Sequence, residues 1–197
     1  LFLLLVSVST YSFAQEITGK TRTTDKYSNT IRQINDEYFK NDFTTINQIF
    51  ADNGNYVMVF NTQKKYLFDA TPDISKQLYA LKKAMPTASS SIVDGIFLTH
   101  AHIGHYTGLM YLGKEAVNST EVSVFTMPKM SSFISSNGPW SQLVTNRNIA
   151  LQPLVANQAI SLSPSLQVTP FLVPHRDEYS ETVGYLIEGP HKKALFI

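Results

Sequence analysis

Apolar segments alternate with polar breaks along most of the chain, and the spacing inside each segment separates helices from strands. Ile31, Ile34 and Tyr38, then Phe43, Ile46, Ile49 and Phe50, recur at helical spacing, with Asn41-Asp42 placed to cap the second helix. Asp52-Asn53-Gly54-Asn55 is a turn, and Tyr56-Val57-Met58-Val59-Phe60, rich in β-formers, reads as a buried strand. The chain turns at 61–64 and returns over 65–69 as a second strand. Residues 74–85 predict a helix with Leu78 and Leu81 inward, stopped by Pro86. The Ala/Ser run at 88–91 is a loop, and Gly95-Ile96-Phe97-Leu98 is a buried strand. Beyond it the pattern predicts a helix over 106–117, a strand over 122–126 and a short helix over 130–135, ended by Ser136-Asn137-Gly138-Pro139. Strands follow over 149–155, 159–162 and 166–173, and 183–188 pairs with 193–197 as a hairpin across Gly189-Pro190. Alternating strands and helices followed by a run of strands imply a layered α/β domain. Its expected span is 31–197, after a polar linker over 15–30. The last strand is still apolar at Ile197, so the domain is expected to be incomplete at its C-terminus.

The start of the chain has a different character. Leu1-Phe2-Leu3-Leu4-Leu5-Val6-Ser7-Val8 is an apolar stretch, and Ser12-Phe13-Ala14 before Gln15 is a small-x-small cleavage pattern. Residues 1–14 therefore read as a signal peptide truncated at its start, which implies a periplasmic or secreted protein. A retained anchor is the alternative, but the stretch is too short to span a bilayer as a stable helix. No stable membrane span is expected once the signal is cleaved.

Composition narrows the chemistry. Hydrophobic residues make up 43% of the chain, enough for a sizeable core. The formal net charge is +1, and the basic residues fall in scattered pairs such as Lys64-Lys65 and Lys82-Lys83. Nothing there favours nucleic acid, and a small molecule is the expected partner. There is no cysteine, which excludes disulfides, thiolate ligands and a cysteine nucleophile. No G-x-S-x-G elbow, P-loop or dinucleotide fingerprint occurs.

Histidine supplies the positive signal. Three of the five histidines fall within Thr99-His100-Ala101-His102-Ile103-Gly104-His105-Tyr106, directly after the buried strand at 95–98. His100 and His102, two apart on an extended segment, point to the same side and can chelate one ion. His105 follows a glycine and opens a helix, so its ring can turn back toward the same pocket. A catalytic zinc wants about three protein ligands and one open position. His175, after Pro174 at the end of another strand, is the best distant candidate for the third. His191, beside Lys192-Lys193, reads as an ordinary turn residue. Asp69 ends the strand at 65–69; it could orient a ligating histidine from behind or cap the turn through Thr71 and Pro72.

These residues resemble the metallo-β-lactamase superfamily. The likeness is carried by Leu67-Phe68-Asp69-Ala70, by the histidine motif continued through Thr107-Gly108, and by His175 followed by Thr182-Val183-Gly184-Tyr185. Within the superfamily the chain is most similar to the pyrroloquinoline quinone biosynthesis protein B group and its relatives. Phe68-Asp69-Ala70-Thr71-Pro72-Asp73, Asn137-Gly138-Pro139-Trp140-Ser141-Gln142-Leu143 and the stretch from Val173 to Thr182 carry that likeness. The resemblance implies an αββα sandwich with metal at one edge of two sheets. It places His100, His102 and His175 at a first metal site and His105 at a second. The family usually has Asp where this chain has Gly104, which leaves the second site short of an anionic ligand. The biosynthesis group often lacks the first two motif histidines, so their presence favours the hydrolase-like relatives.

The expected cofactor is zinc, as one or two ions, with iron or manganese compatible with the same ligands. The leading expectation is a metallo-hydrolase that uses a metal-bound hydroxide on a carbonyl or phosphoryl centre. The alternatives are a pyrroloquinoline quinone biosynthesis-type redox enzyme with iron, and a non-catalytic metal-binding module.

Overall fold

The computed structural model describes residues 2–8, 11–17, 56–59, 64–84, 91–190 and 193–197. The expected helices within 31–50 and His191 lie outside the described residues. In chain order, β1 (Phe2–Val8) and β2 (Tyr11–Ile17) form an antiparallel hairpin. β3 (Tyr56–Val59) and β4 (Lys64–Phe68) pair antiparallel, as the pattern predicts. Then come α1 (Ile74–Ala84) and β5 (Gly95–Phe97). α2 (Ile103–Tyr106) leads directly into a 3-10 helix (Thr107–Leu112), followed by β6 (Val122–Thr126). α3 (Pro128–Ser136) and α4 (Trp140–Thr145) precede β7 (Ile149–Pro153), β8 (Ile160–Ser163) and β9 (Leu166–Leu172). β10 (Val183–Glu188) and β11 (Lys193–Phe196) form the expected hairpin.

Among the described residues the strands make two sheets. One is five-stranded in the order β3-β4-β5-β6-β7, and its steps from β4 to β7 are parallel. The other is six-stranded in the order β2-β1-β11-β10-β9-β8. The segment expected as a signal peptide forms β1 and part of β2 there, with β1 beside β11 and Leu5 in register with Phe196.

Side-chain alternation along the strands divides the core in two. Leu67, Ile96, Leu98, Val122 and Val124 face the helices, where they pack with Ile74, Leu78 and Leu81 of α1, Met130 and Ile134 of α3 and Leu143 of α4. Each such side chain, taken out of water, is worth about 2 kcal/mol. The alternate residues, Tyr66, Phe68 and Phe97, face the other sheet and meet Val168, Tyr185, Ile187 and Phe196. That second layer is aromatic. Phe97 stacks on Phe68 and Phe125 at centroid distances of 5.0 and 4.2 Å, and Tyr185 meets both Phe68 and Phe97 edge-on at 5.5 and 5.4 Å. On the other face of the six-stranded sheet Phe171, Leu186 and Leu195 form a separate buried cluster, with Val173 and Ile197 packed against it.

The helix expected over 106–117 is replaced by α2 and the 3-10 helix. Gly108 gives the reason. Its N–H donates to the Ala70 carbonyl at 2.9 Å instead of continuing the α ladder. A Cβ at Gly108 would lie 2.1 Å from the Thr71 carbonyl oxygen, so only glycine allows this approach. The 3-10 turn is thereby fastened to the loop after β4. The six-residue α4 has no counterpart in the sequence reading, because so short an element carries too little periodicity to register. No helix among the described residues is long and apolar enough to cross a membrane.

Candidate metal centre

The C-terminal ends of β4, β5 and β9 open at one edge of the two sheets, and each delivers a functional residue there. The link between the sheets at this edge is direct: the Val183 N–H, at the start of β10, donates to the Thr99 carbonyl at 3.1 Å. The buried Tyr185 hydroxyl donates to the Leu98 carbonyl. The loop after β5 is thus held from the opposite sheet as well as its own.

Asp69 follows β4 at φ 63°, a left-handed conformation that a short polar residue tolerates better than most. It is fully buried, and its carboxylate accepts from the Thr99 N–H at 2.8 Å, from the Thr99 hydroxyl at 3.0 Å and from His105 Nδ1 at 2.7 Å. It therefore orients histidines from behind; the turn at 71–73 is capped instead by Thr71, whose hydroxyl accepts the Asp73 N–H.

This arrangement fixes two imidazole tautomers by hydrogen-bond counting. A carboxylate only accepts, so the single Thr99 hydroxyl proton goes to Asp69. The Thr99 oxygen then accepts from His100 Nδ1, 2.9 Å away. His100 keeps its lone pair on Nε2, which is buried and has no hydrogen-bond partner among the described residues. His105 likewise donates from Nδ1 to Asp69. Burial, with the neighbouring histidines and Arg176, pushes His100 down to about 2, so its ring is neutral. Burial first, then His102 and Arg176, also lowers His175. For His105 burial acts downward, but the charge and hydrogen bond of Asp69 outweigh it, and the net shift is upward.

His100, His102 and His175 come together. One ligand nitrogen from each lies within 4.8 Å of the others, and the group could hold a metal ion. The rings stand nearly perpendicular in pairs, with centroids 4.6 Å apart for His100 and His102, 4.9 Å for His100 and His175, and 5.1 Å for His102 and His175. His105 is not one of the three; its ring packs on that of His100 at 4.1 Å and is tied to Asp69. No carboxylate joins the cluster among the described residues. Three imidazoles brought together, one of them His100 with a buried, unpartnered Nε2, fit a metal ion that takes nitrogen ligands.

Residues 64–197 match the model of the β-lactamase superfamily domain. The chain belongs to that family. Among solved structures it is similar to Zn(2+)-bound PqqB from Methylobacterium extorquens, with a TM-score of 0.57 and 22% identity over 72% of this chain and 50% of that one. It is also similar to a motif mutant of the metallo-β-lactamase from Cronobacter sakazakii, with a TM-score of 0.52 and 13% identity over 76% of this chain and 59% of that one. The chain therefore spans about half the length of the PqqB chain that it matches. No curated protein matches it.

In this β-lactamase superfamily domain, several residues at the site escaped the sequence reading. Thr99 relays Asp69 to His100. Glu178 bonds His102 through Oε2 and Nε2 at 3.0 Å. The Ser180 hydroxyl accepts the Ala101 N–H at 2.8 Å. Glu178 and Ser180 lie almost eighty residues from their partners, a separation that no local pattern encodes. Thr99 sits inside the histidine motif, and a hydroxyl beside a ligand histidine was the one available signal.

Proposed function

We propose that this domain is a metal-dependent hydrolase in which His100, His102 and His175 hold one ion. The observation that carries the reading is the convergence of one nitrogen from each of His100, His102 and His175, together with the buried, unpartnered Nε2 of His100. A zinc ion there would lower the pKa of a bound water to about 7, giving a nucleophile at neutral pH for a carbonyl or phosphoryl centre. The chain's own residues do the positioning. Thr99 and Asp69 hold His100 in the tautomer that presents Nε2, and the Val183–Thr99 bond keeps the His100 and His175 loops together.

Turnover of a panel of lactam, lactone, thioester and phosphodiester substrates by the full-length protein tests this. Activity should fall by at least about 100-fold on chelation and in His175→Ala. Equal turnover before and after either change would contradict the reading. The likeness of 137–143 and 173–182 to the pyrroloquinoline quinone biosynthesis group supports a second reading, an iron redox enzyme at the same ligands. Elemental analysis after anaerobic purification separates them, since zinc without iron counts against the second. Export belongs to the same proposal, supported by the apolar start and the Ser12-Phe13-Ala14 pattern. The mature protein should begin at Gln15 on N-terminal sequencing, and retention of residues 1–14 would contradict a cleaved signal peptide.

A further inference from the structure

The three histidines of the cluster are not held in the same way. His100 is fixed through Nδ1 by the buried Thr99–Asp69 pair. Among the described residues His102 has no such buried pair behind it. It stands at the start of α2 in an extended conformation, and its ring bonds from Nε2 to Glu178, at 3.0 Å. Glu178 belongs to the loop between β9 and β10, the same loop that carries His175.

We propose that Glu178 is the positioning carboxylate of His102. A carboxylate accepts and does not donate, so the bond requires the proton of His102 on Nε2. In the neutral ring that a metal ligand must be, the lone pair then lies on Nδ1, the nitrogen left for the cluster. His100 and His102 thus present opposite nitrogens, Nε2 and Nδ1, each selected by a different acceptor. This inference rests on the reading of His100, His102 and His175 as a metal triad.

The loop around Glu178 is fastened well enough to place it. The Val173 N–H donates to the Thr182 carbonyl at 3.0 Å, closing the loop at its base. The Ser180 hydroxyl accepts from Ala101 N–H and donates to the Glu181 carbonyl at 2.9 Å. The Glu181 carboxylate accepts the Lys129 N–H in the first turn of α3, at 3.0 and 3.2 Å. Glu178 itself is half exposed, and its other oxygen lies 3.9 Å from Arg176 Nε. A pair so open to solvent contributes little to folding stability. Its effect should therefore fall on the ring it orients, as partners behind metal-ligating histidines do.

The test uses the full-length, metal-free protein and its Glu178→Ala and Glu178→Gln variants. Nitrogen NMR of the imidazoles should find His102 mainly as the Nε2–H tautomer in the wild type and as a mixture in Glu178→Ala. Zn2+ affinity, measured by competition with a chromophoric chelator, should fall about 10–100-fold in Glu178→Ala. Glu178→Gln, which keeps an acceptor oxygen, should recover most of that loss, and the melting temperature should stay unchanged in both variants. An unchanged His102 tautomer in Glu178→Ala, or a Zn2+ affinity within about twofold of the wild type, would overturn the proposal while the triad stands. A wild-type protein that takes up no Zn2+ would overturn the triad reading and this proposal together.

Discussion

Asp69 shows how much one buried residue can organise. Its oxygens receive the Thr99 N–H, the Thr99 hydroxyl and His105 Nδ1, and through Thr99 it reaches His100. Thr99→Val keeps the volume and removes the relay. His100 Nδ1 then loses its acceptor in a buried setting, which should cost about 1–3 kcal/mol of stability in chemical denaturation. Zinc binding should weaken about 10–100-fold, and Thr99→Ser should restore both. A Thr99→Val protein with wild-type stability and zinc affinity would contradict the relay. The histidines were legible in the sequence because three fall within six residues at the end of an apolar strand. Their hydrogen-bond partners were less so. Asp69 was visible as a strand-end carboxylate, but its choice between capping a turn and orienting a ring depends on a contact with His105, thirty-six residues away.

At the scale of elements, strands were read more faithfully than helices. Short apolar, β-former-rich runs bounded by turns mark β4, β6 and β9, and their limits differ from expectation by a residue or so. The segment after the histidines was read as one helix because its apolar residues suit either an α or a 3-10 path. What decides between them is tertiary: Gly108 lies against the carbonyls of Ala70 and Thr71 and bonds the first of them. That contact also locks the loop bearing Asp69 to the element bearing His105, whose carbonyl accepts the Ala70 N–H at 2.8 Å. Gly108→Ala places a methyl group 2.1 Å from a backbone oxygen with no flexible side chain to yield. It should destabilise the protein by about 1–3 kcal/mol or more, read as a lower denaturation midpoint. An unchanged midpoint would mean that the close approach does not persist in solution.

At the scale of the molecule, two sheets share an aromatic core, and helices cover the outer face of the five-stranded one. This layering puts the ends of β4, β5 and β9 at one edge, so ligands far apart in sequence converge without any local motif joining His175 to His100. The layered α/β class was legible from the alternation of elements. The pairing of β1 with β11 was not, because it joins segments that are distant in sequence and carry no shared local pattern. Membership of the β-lactamase superfamily domain rests on 64–197, the part of the chain that contains every residue of the cluster. The central claim is that this cluster holds a single ion. Elemental analysis of the purified full-length protein beside His100→Ala, His102→Ala and His175→Ala tests it most directly. The account expects about one metal equivalent per chain in the wild type, from three nitrogen ligands and one open position, and near-complete loss in each variant. Equal metal content in the wild type and His102→Ala would contradict it.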